Sequence, residues 1–340
     1  MANQALQLYE GLRAVGIQVG FVQVNAPYQP AWVAKMKGIR AVFRLFPYLY
    51  RLYREIDRAD IVHVLANSGW SWHLFAAPAV WVAWLLRRPV IVNYRGGEAE
   101  KFFQAQWRWV KPTLMKAQAV MVPSAYLKEI FNRRNVDARI VPNMLDLNRF
   151  RFQPPEPGTV DAPHLVVTRN LEPLYDVETA VRAFQRVQQA YPGARLTVAG
   201  SGPEETRLKT LVAELGLADA VSFPGRLEAE QIAQLYQSAD MMLNASRVDN
   251  SPNSLIEALA CGLPVVTTDV GGIPYLVKDG ESAMLVPPGQ PEMLADAAVD
   301  LLKDHLLRAK LVQNGRQIAD GFDQDKVLRL LEQEYRRLVG

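Results

Sequence analysis

Short β-branched runs alternate with stretches of helical periodicity along the whole chain. This pattern predicts βα units on parallel sheets rather than a sandwich or a helical bundle. In the first half the runs fall near Val19–Val24, Ile61–Leu65, Val90–Tyr94, Ala119–Val122 and Arg139–Val141. In the second they fall near Leu165–Thr168, Arg195–Ala199, Val221–Phe223, Met241–Asn244, Val265–Thr268 and Ala283–Val286. Two doubly wound α/β domains are predicted, with ligands at the carboxyl ends of the strands in a cleft between them. Residues 2–13 already carry a helical pattern, so the N-terminal domain is expected to lack the strand that ordinarily begins such a sheet. A last amphipathic helix, Lys326 to Val339, carries Val327, Leu328, Leu330, Leu331, Tyr335 and Leu338 on one side. It is predicted to pack back toward the N-terminal domain.

The 340 residues suffice for about two domains. Phe152-Gln-Pro-Pro-Glu-Pro-Gly158 forbids a continuous element and marks the boundary, a plausible hinge. The predicted division is 1–153, 154–322 and the helix at 323–340. Charge changes at the same place: residues 1–153 carry 21 Lys+Arg against 9 Asp+Glu, residues 154–340 carry 17 against 26, and all seven tryptophans lie before the boundary. The longest apolar run, Leu74 to Leu86, is broken by Pro78 and falls short of the roughly 20 residues a bilayer span needs. The one cysteine, Cys261, cannot close an internal disulfide, and no secretion signal opens the chain, so a cytoplasmic protein is expected. Residues 31–54 hold Lys35, Lys37, Arg40, Arg44, Arg51 and Arg54 among aromatics and no acid. That composition suits an amphipathic helix on an anionic membrane surface, or equally a core-packed helix with a solvated basic face. No nucleic-acid-binding module accompanies the charge, so nucleic acid is not expected as a partner.

The most specific segment is Val248-Asp-Asn-Ser-Pro-Asn-Ser-Leu-Ile-Glu-Ala-Leu-Ala-Cys-Gly-Leu-Pro-Val-Val-Thr-Thr-Asp-Val-Gly-Gly-Ile-Pro274, whose pattern is loop, helix, turn, strand, turn. Ser251 is the expected N-cap, Pro252 suits the first helical position and Gly262 ends the helix. The helix start would present the N–H groups of Asn253, Ser254 and Leu255 as an anion site fit for a diphosphate. Asp249 and Glu257 border it with carboxylates able to accept hydrogen bonds from sugar or ribose hydroxyls.

This segment resembles family 4 of the retaining glycosyltransferases, the group 1 or glycogen-synthase-like enzymes of GT-B architecture. Their signature is an acid, seven residues, a Glu and then Ala-Cys-Gly-Leu-Pro-Val-Val; here the acids are Asp249 and Glu257. The likeness extends to Val166-Val-Thr-Arg169, Leu196-Thr-Val-Ala-Gly-Ser-Gly-Pro203, Val221-Ser-Phe-Pro-Gly-Arg226 and Val141-Pro-Asn143. The resemblance implies two Rossmann-like domains and transfer of a sugar, with retention, from a nucleotide-diphosphate sugar to a carbohydrate or lipid-linked acceptor. Envelope or extracellular polysaccharide synthesis would be the setting, with the inner membrane face as a peripheral location. Glu257 would hold the ribose and Asp249, with Asn250 and Ser251 beside it, the donor sugar. The 253–255 amides and Arg169 would hold the diphosphate. Gly200 and Gly202 would admit the donor, and Arg226-Leu227 would face the base. No metal and no cofactor are then required.

The chain departs from the family in three places. Tyr175 stands where a second diphosphate cation is common, Arg95-Gly-Gly97 stands where His-Gly is common, and the glycine-rich loop after the first strand is missing with that strand. Arg95 can donate hydrogen bonds to sugar or phosphate but cannot accept a proton. A catalytically degenerate or truncated sugar-nucleotide-binding subunit is therefore the alternative. His63 is expected to be a satisfied core histidine, and Asp323-Gln-Asp325 to cap the last helix rather than bind metal.

Overall fold

The computed structural model describes residues 2–24, 40–154 and 160–340, in two compact units, Met1–Met144 with Asp325–Gly340 and Leu145–Gln324. The first contains α1 (Ala2–Ala14), α2 (Arg40–Asp57), β1 (Val62–Ala66), α3 (Ala77–Leu85), β2 (Val90–Tyr94), α4 (Ala99–Leu114), β3 (Ala119–Val122), α5 (Ala125–Asn132) and β4 (Arg139–Ile140). Its four strands form a parallel sheet in the order β1-β2-β3-β4. All five residues of β2 are buried, as a parallel strand covered on both faces requires. Val90, Val92 and Tyr94 point into a core shared with α2 to α5. Ile91 and Met121 point to the other face, where Leu8 and Leu12 of α1 meet Val327, Leu328, Leu331 and Tyr335 of the final helix.

Residues 19–24 are not a strand. Val19 packs on the α1 side of the sheet while Val22 and Val24 pack on the other, so the segment buries what an extended chain would bury. No described strand forms a ladder with it, and alternation alone does not make a strand.

The second unit contains β5 (His164–Thr168), α6 (Val177–Ala190), β6 (Arg195–Ala199), α7 (Glu205–Glu214), β7 (Val221–Gly225), α8 (Ala229–Ser238), β8 (Met241–Asn244), α9 (Asn253–Cys261), β9 (Val265–Thr268), α10 (Ile273–Leu276), β10 (Met284–Val286), α11 (Pro291–Lys303) and α12 (His305–Ala319). The sheet is parallel throughout in the order β10-β9-β8-β5-β6-β7, with α6, α7 and α11 on one face and α8 and α9 on the other. The connections reverse direction between β5 and β8, which makes that junction the switch point of the fold.

The boundary lies before the proline segment rather than within it. Leu145 donates to the Phe322 carbonyl at 2.8 Å and accepts from Gln324 at 2.9 Å, while Phe150 is buried against the second core. The Gln153 amide donates to the Cys261 carbonyl at 2.9 Å. Residues 145–153 therefore belong to the second unit, because its hydrogen bonds and core claim them. The hinge expected at Pro154–Gly158 lies, from Pro155 onward, outside the described residues. The chain then returns: α13 (Gln324–Val339) packs on the first unit.

Candidate active site

At the switch point the loops after β5 and β8 converge on the start of α9. Arg169, directly after β5, donates from Nη1 to Ser254 Oγ at 3.1 Å and pairs through Nη2 with the Asp249 carboxylate. Both charged side chains are about nine-tenths buried, at 10% and 11% exposure. The Tyr175 ring covers the guanidinium at 3.9 Å, and Arg169 Nε is buried with no hydrogen-bond partner among the described residues. The position expected to hold a second cation thus holds an aromatic that stacks on the first.

Asp249 also accepts from the Asn250 amide at 2.8 Å, which closes its loop on itself. The turn after β9 presses on the same loop. A Cβ on Gly271 would lie 2.0 Å from the Asp249 carbonyl and one on Gly272 1.8 Å from that of Asn250. The Gly272 amide donates to the Asp249 carbonyl at 2.9 Å. Tyr175 is held from below: Asp176 accepts from Arg247 Nε and Thr179 Oγ1, both at 2.8 Å, and the Arg247 amide bonds the Leu174 carbonyl.

Helix α9 begins one residue later than expected. Pro252 is the N-cap and makes no side-chain capping bond, so the N-cap assigned to Ser251 is corrected. The Pro252 ring fixes φ at −68°, its ψ of 113° is extended, and its carbonyl accepts from Ile256 at 3.3 Å. Among the described residues no acceptor pairs with the Ser254 or Leu255 N–H. Asn253 leads this turn, Asn250 is buried and Ser251 half-buried just ahead of it. Gly262 ends the helix in the left-handed conformation at φ 81°.

Glu257, one turn into α9, is half-buried, and its carboxyl is pushed up to about 7 by burial, with Arg169 and the Tyr236 hydroxyl pulling the other way. Tyr236 in turn bonds Thr168 Oγ1 at 2.5 Å and the Ser254 carbonyl at 3.2 Å. Cys261 is buried and its thiol pushed up to about 12 by burial, which suits an inert core position.

Gly200 and Gly202, expected to admit the donor, pack against the backbone of a neighbouring loop. A Cβ on Gly200 would sit 1.9 Å from the Arg169 carbonyl, and one on Gly202 2.3 Å from that of Leu171. They bring the loop after β6 against the backbone that carries Arg169. The Gly200 amide donates to the Gly225 carbonyl at 2.9 Å, which places exposed Arg226 and half-buried Leu227 at the same end of the sheet. Sequence inspection missed Tyr175 stacking, Tyr236 and the Gly271-Gly272 wedge. The Gly-Gly-Ile-Pro run showed a turn, but nothing in it showed which loop the turn would press against.

In the first unit, Arg95 follows β2. Its Nε donates to Asn93 Oδ1 at 3.2 Å, and its Nη1 to Asn143 Oδ1 at 2.6 Å and Gln4 Oε1 at 3.3 Å. With Oδ1 so engaged, Asn93 Nδ2 donates to His63 Nε2 at 3.1 Å, and His63 Nδ1 carries the proton it gives the Tyr335 hydroxyl at 2.6 Å. Burial, reinforced by the Arg95 charge, pushes His63 down to about 3, so this ring stays neutral. Burial alone lowers Arg95, to about 10, and it remains a cation at neutral pH.

Two Rossmann-like units with a site at the β5/β8 switch point define a protein of the GT-B class. The chain belongs to the group 1, or family 4, glycosyltransferases. Residues 150–318 match the family described as Glycosyl transferases group 1, and residues 1–149 match Glycosyltransferase Family 4. The N-acetyl-alpha-D-glucosaminyl L-malate synthase of Bacillus anthracis is 31% identical over 50% of this chain and 44% of its own length. The glycogen synthase of Mycobacterium tuberculosis is 26% identical over 82% of this chain and 69% of its own. The chain spans under half the length of the first of these. Among solved structures, the sucrose-phosphate synthase of Thermosynechococcus elongatus superposes with a TM-score of 0.72 at 25% identity, over 98% of this chain and 92% of that one. Anabaena HepE in complex with UDP superposes at 0.70 with 19% identity, over 86% and 82%.

Proposed function

We propose that the protein is a retaining, metal-independent glycosyltransferase that moves a sugar from a nucleotide-diphosphate donor to a carbohydrate or lipid-linked acceptor in envelope or extracellular polysaccharide synthesis. The observation that carries this is the start of α9, where the Ser254 and Leu255 N–H groups, with no acceptor among the described residues, lie beside Arg169 and a half-buried carboxyl, Glu257. Such a helix end favours a diphosphate, and the carboxylate can accept from both ribose hydroxyls. The reaction breaks the bond between the anomeric carbon and the diphosphate oxygen, so the main task is to stabilise charge on the departing diphosphate. The α9 amides and Arg169 meet that charge here. Asp249 faces the donor sugar, Arg226-Leu227 the base, and Arg95 of the first unit supplies a further donor to sugar or phosphate.

The neighbour HepE holds UDP, which makes UDP the first nucleotide to test. Glu257→Ala and Arg169→Ala should each weaken nucleotide binding by roughly 1–3 kcal/mol in calorimetry. Unchanged affinity in both removes the proposed site. Binding without donor hydrolysis or transfer, in the presence of varied acceptors, would instead favour a sugar-nucleotide-binding subunit.

The membrane surface proposed for residues 31–54 falls partly outside the described residues: Lys35 and Lys37 do, and so do the side chains of Arg40 and Arg44. Within the described part, Phe46, Tyr50 and Tyr53 form an exposed stripe along α2 with Arg54 over the Tyr50 ring, an arrangement that supports docking at a membrane face. No described helix is long and apolar enough to cross a membrane.

A further inference from the structure

A second aromatic surface lies on the first unit, on helices that the donor site does not use. Along α3, Trp81, Trp84 and Leu85 are spaced i, i+3, i+4 and so share one stripe. On α4 and just past its end, Trp109, Thr113 and Lys116 share another. The two stripes meet where Trp81 Nε1 donates to Thr113 Oγ1 at 3.0 Å. There the Lys116 ammonium sits 3.9 Å from the centre of the Trp84 ring, and the Trp81 and Trp84 rings pack edge to face. The patch is open: Trp84 is 43% exposed, Trp109 61%, Met115 64% and Leu85 69%.

The charge around it is predominantly basic, with Asp137 the acid that shares a cavity with Met115. Exposed Arg87, Arg108 and Lys111 flank the tryptophans, and residues 101–118 contain no acid, nor do residues 77–90. The acids at the far end of α4 are occupied, Glu98 with Lys101 and Glu100 with Arg134. A water-facing surface gains nothing from several half-exposed indoles. Indoles ringed by cations match the interface of an anionic bilayer, where the ring enters the headgroup layer and the cations meet lipid phosphates.

We infer that the C-terminal ends of α3 and α4 dock the first unit on an anionic lipid surface through Trp84, Leu85, Trp109 and Met115. This inference does not depend on the sugar-transfer reading, and it concerns residues distinct from 31–54. The test is flotation of the full chain with vesicles of phosphatidylcholine alone and of equal parts phosphatidylcholine and phosphatidylglycerol. The protein should float with the anionic vesicles only. Trp84→Ser combined with Trp109→Ser should lower the partition roughly tenfold or more, and Arg87→Gln or Lys111→Gln roughly fivefold each. Thermal melting should be unchanged, because all these side chains are exposed. Should the double variant melt lower, quenching of tryptophan emission by phosphatidylglycerol brominated in the acyl chains decides instead, read in the Trp32→Phe, Trp70→Phe variant that keeps Trp81, Trp84 and Trp109: quenching supports the docking face and its absence overturns it. Three further results would overturn it: no binding to anionic vesicles, binding that survives the double variant and disappears only when Lys35, Lys37, Arg40 and Arg44 are neutralised, or a wild-type dimer that the double variant dissolves.

Discussion

Arg169 is the most constrained side chain of the site. Asp249 neutralises it, Ser254 fixes one nitrogen and Tyr175 closes its open face. Asp249 therefore opposes the binding of a phosphate that Arg169 and the α9 amides favour. Asp249→Asn should tighten UDP binding, by roughly 1 kcal/mol, while transfer falls, and calorimetry paired with a transfer assay measures both. Glu257 makes a pH-dependent statement. Its carboxyl titrates near 7 in the folded protein and near the ordinary carboxyl value when unfolded, so the folded state binds the extra proton between those limits. Stability from this group is lost as pH rises through that window and stays low above about 7. Glu257→Gln should then raise the stability of the ligand-free protein at pH 8 by on the order of 2 kcal/mol, with little change near pH 4. Ribose hydroxyls donate to the ionised carboxylate, so wild-type nucleotide affinity should climb through pH 7 and the Glu257→Gln profile should lose that step. Equal melting curves at pH 8 would contradict the raised carboxyl.

At the scale of elements, the loops are positioned by backbone contact rather than by side chains. Gly271 is left-handed at φ +56°, and its missing Cβ leaves room for the Asp249 carbonyl, so the turn after β9 acts as a wedge under the Asp249–Asn250 loop. Gly271→Ala should displace that loop, lower stability by roughly 1–3 kcal/mol and abolish measurable nucleotide binding. Gly321→Ala, where an added Cβ meets nothing within 4 Å, is the matched control and should change neither. In the first unit a chain of neutral groups, Tyr335 to His63 to Asn93, ends on the Arg95 guanidinium. None of its members is a carboxylate, so the Arg95 charge is oriented without being cancelled, which suits a residue meant to meet an anion.

At the scale of the whole molecule, the last helix is continuous in sequence with the second unit yet completes the core of the first. Leu331→Ala in α13 should destabilise the first unit by roughly 2–5 kcal/mol. Hydrogen exchange should show β2 and β3 amides losing protection while those of β5 and β8 keep theirs. Loss of protection in both sheets together would show instead that the units unfold as one.

Much of this protein was legible in its sequence. Strand and helix periodicity marked ten of the eleven expected strands, because a buried parallel strand needs an unbroken apolar run whatever surrounds it. The helix at 253–261 announced itself through Pro252 and Gly262, whose backbone preferences are local. Other features depended on chain segments far apart in sequence. Residues 19–24 have the alternation of a strand yet form no ladder with a described strand; residues 145–153 precede the proline break and yet pair with Phe322 and Cys261. Tyr175 looked like the loss of a cation, and only the fold shows it lying on Arg169. Composition and spacing fix what each segment can bury, whereas pairing, stacking and the shift of a carboxyl arise from which distant groups are brought within a few ångströms.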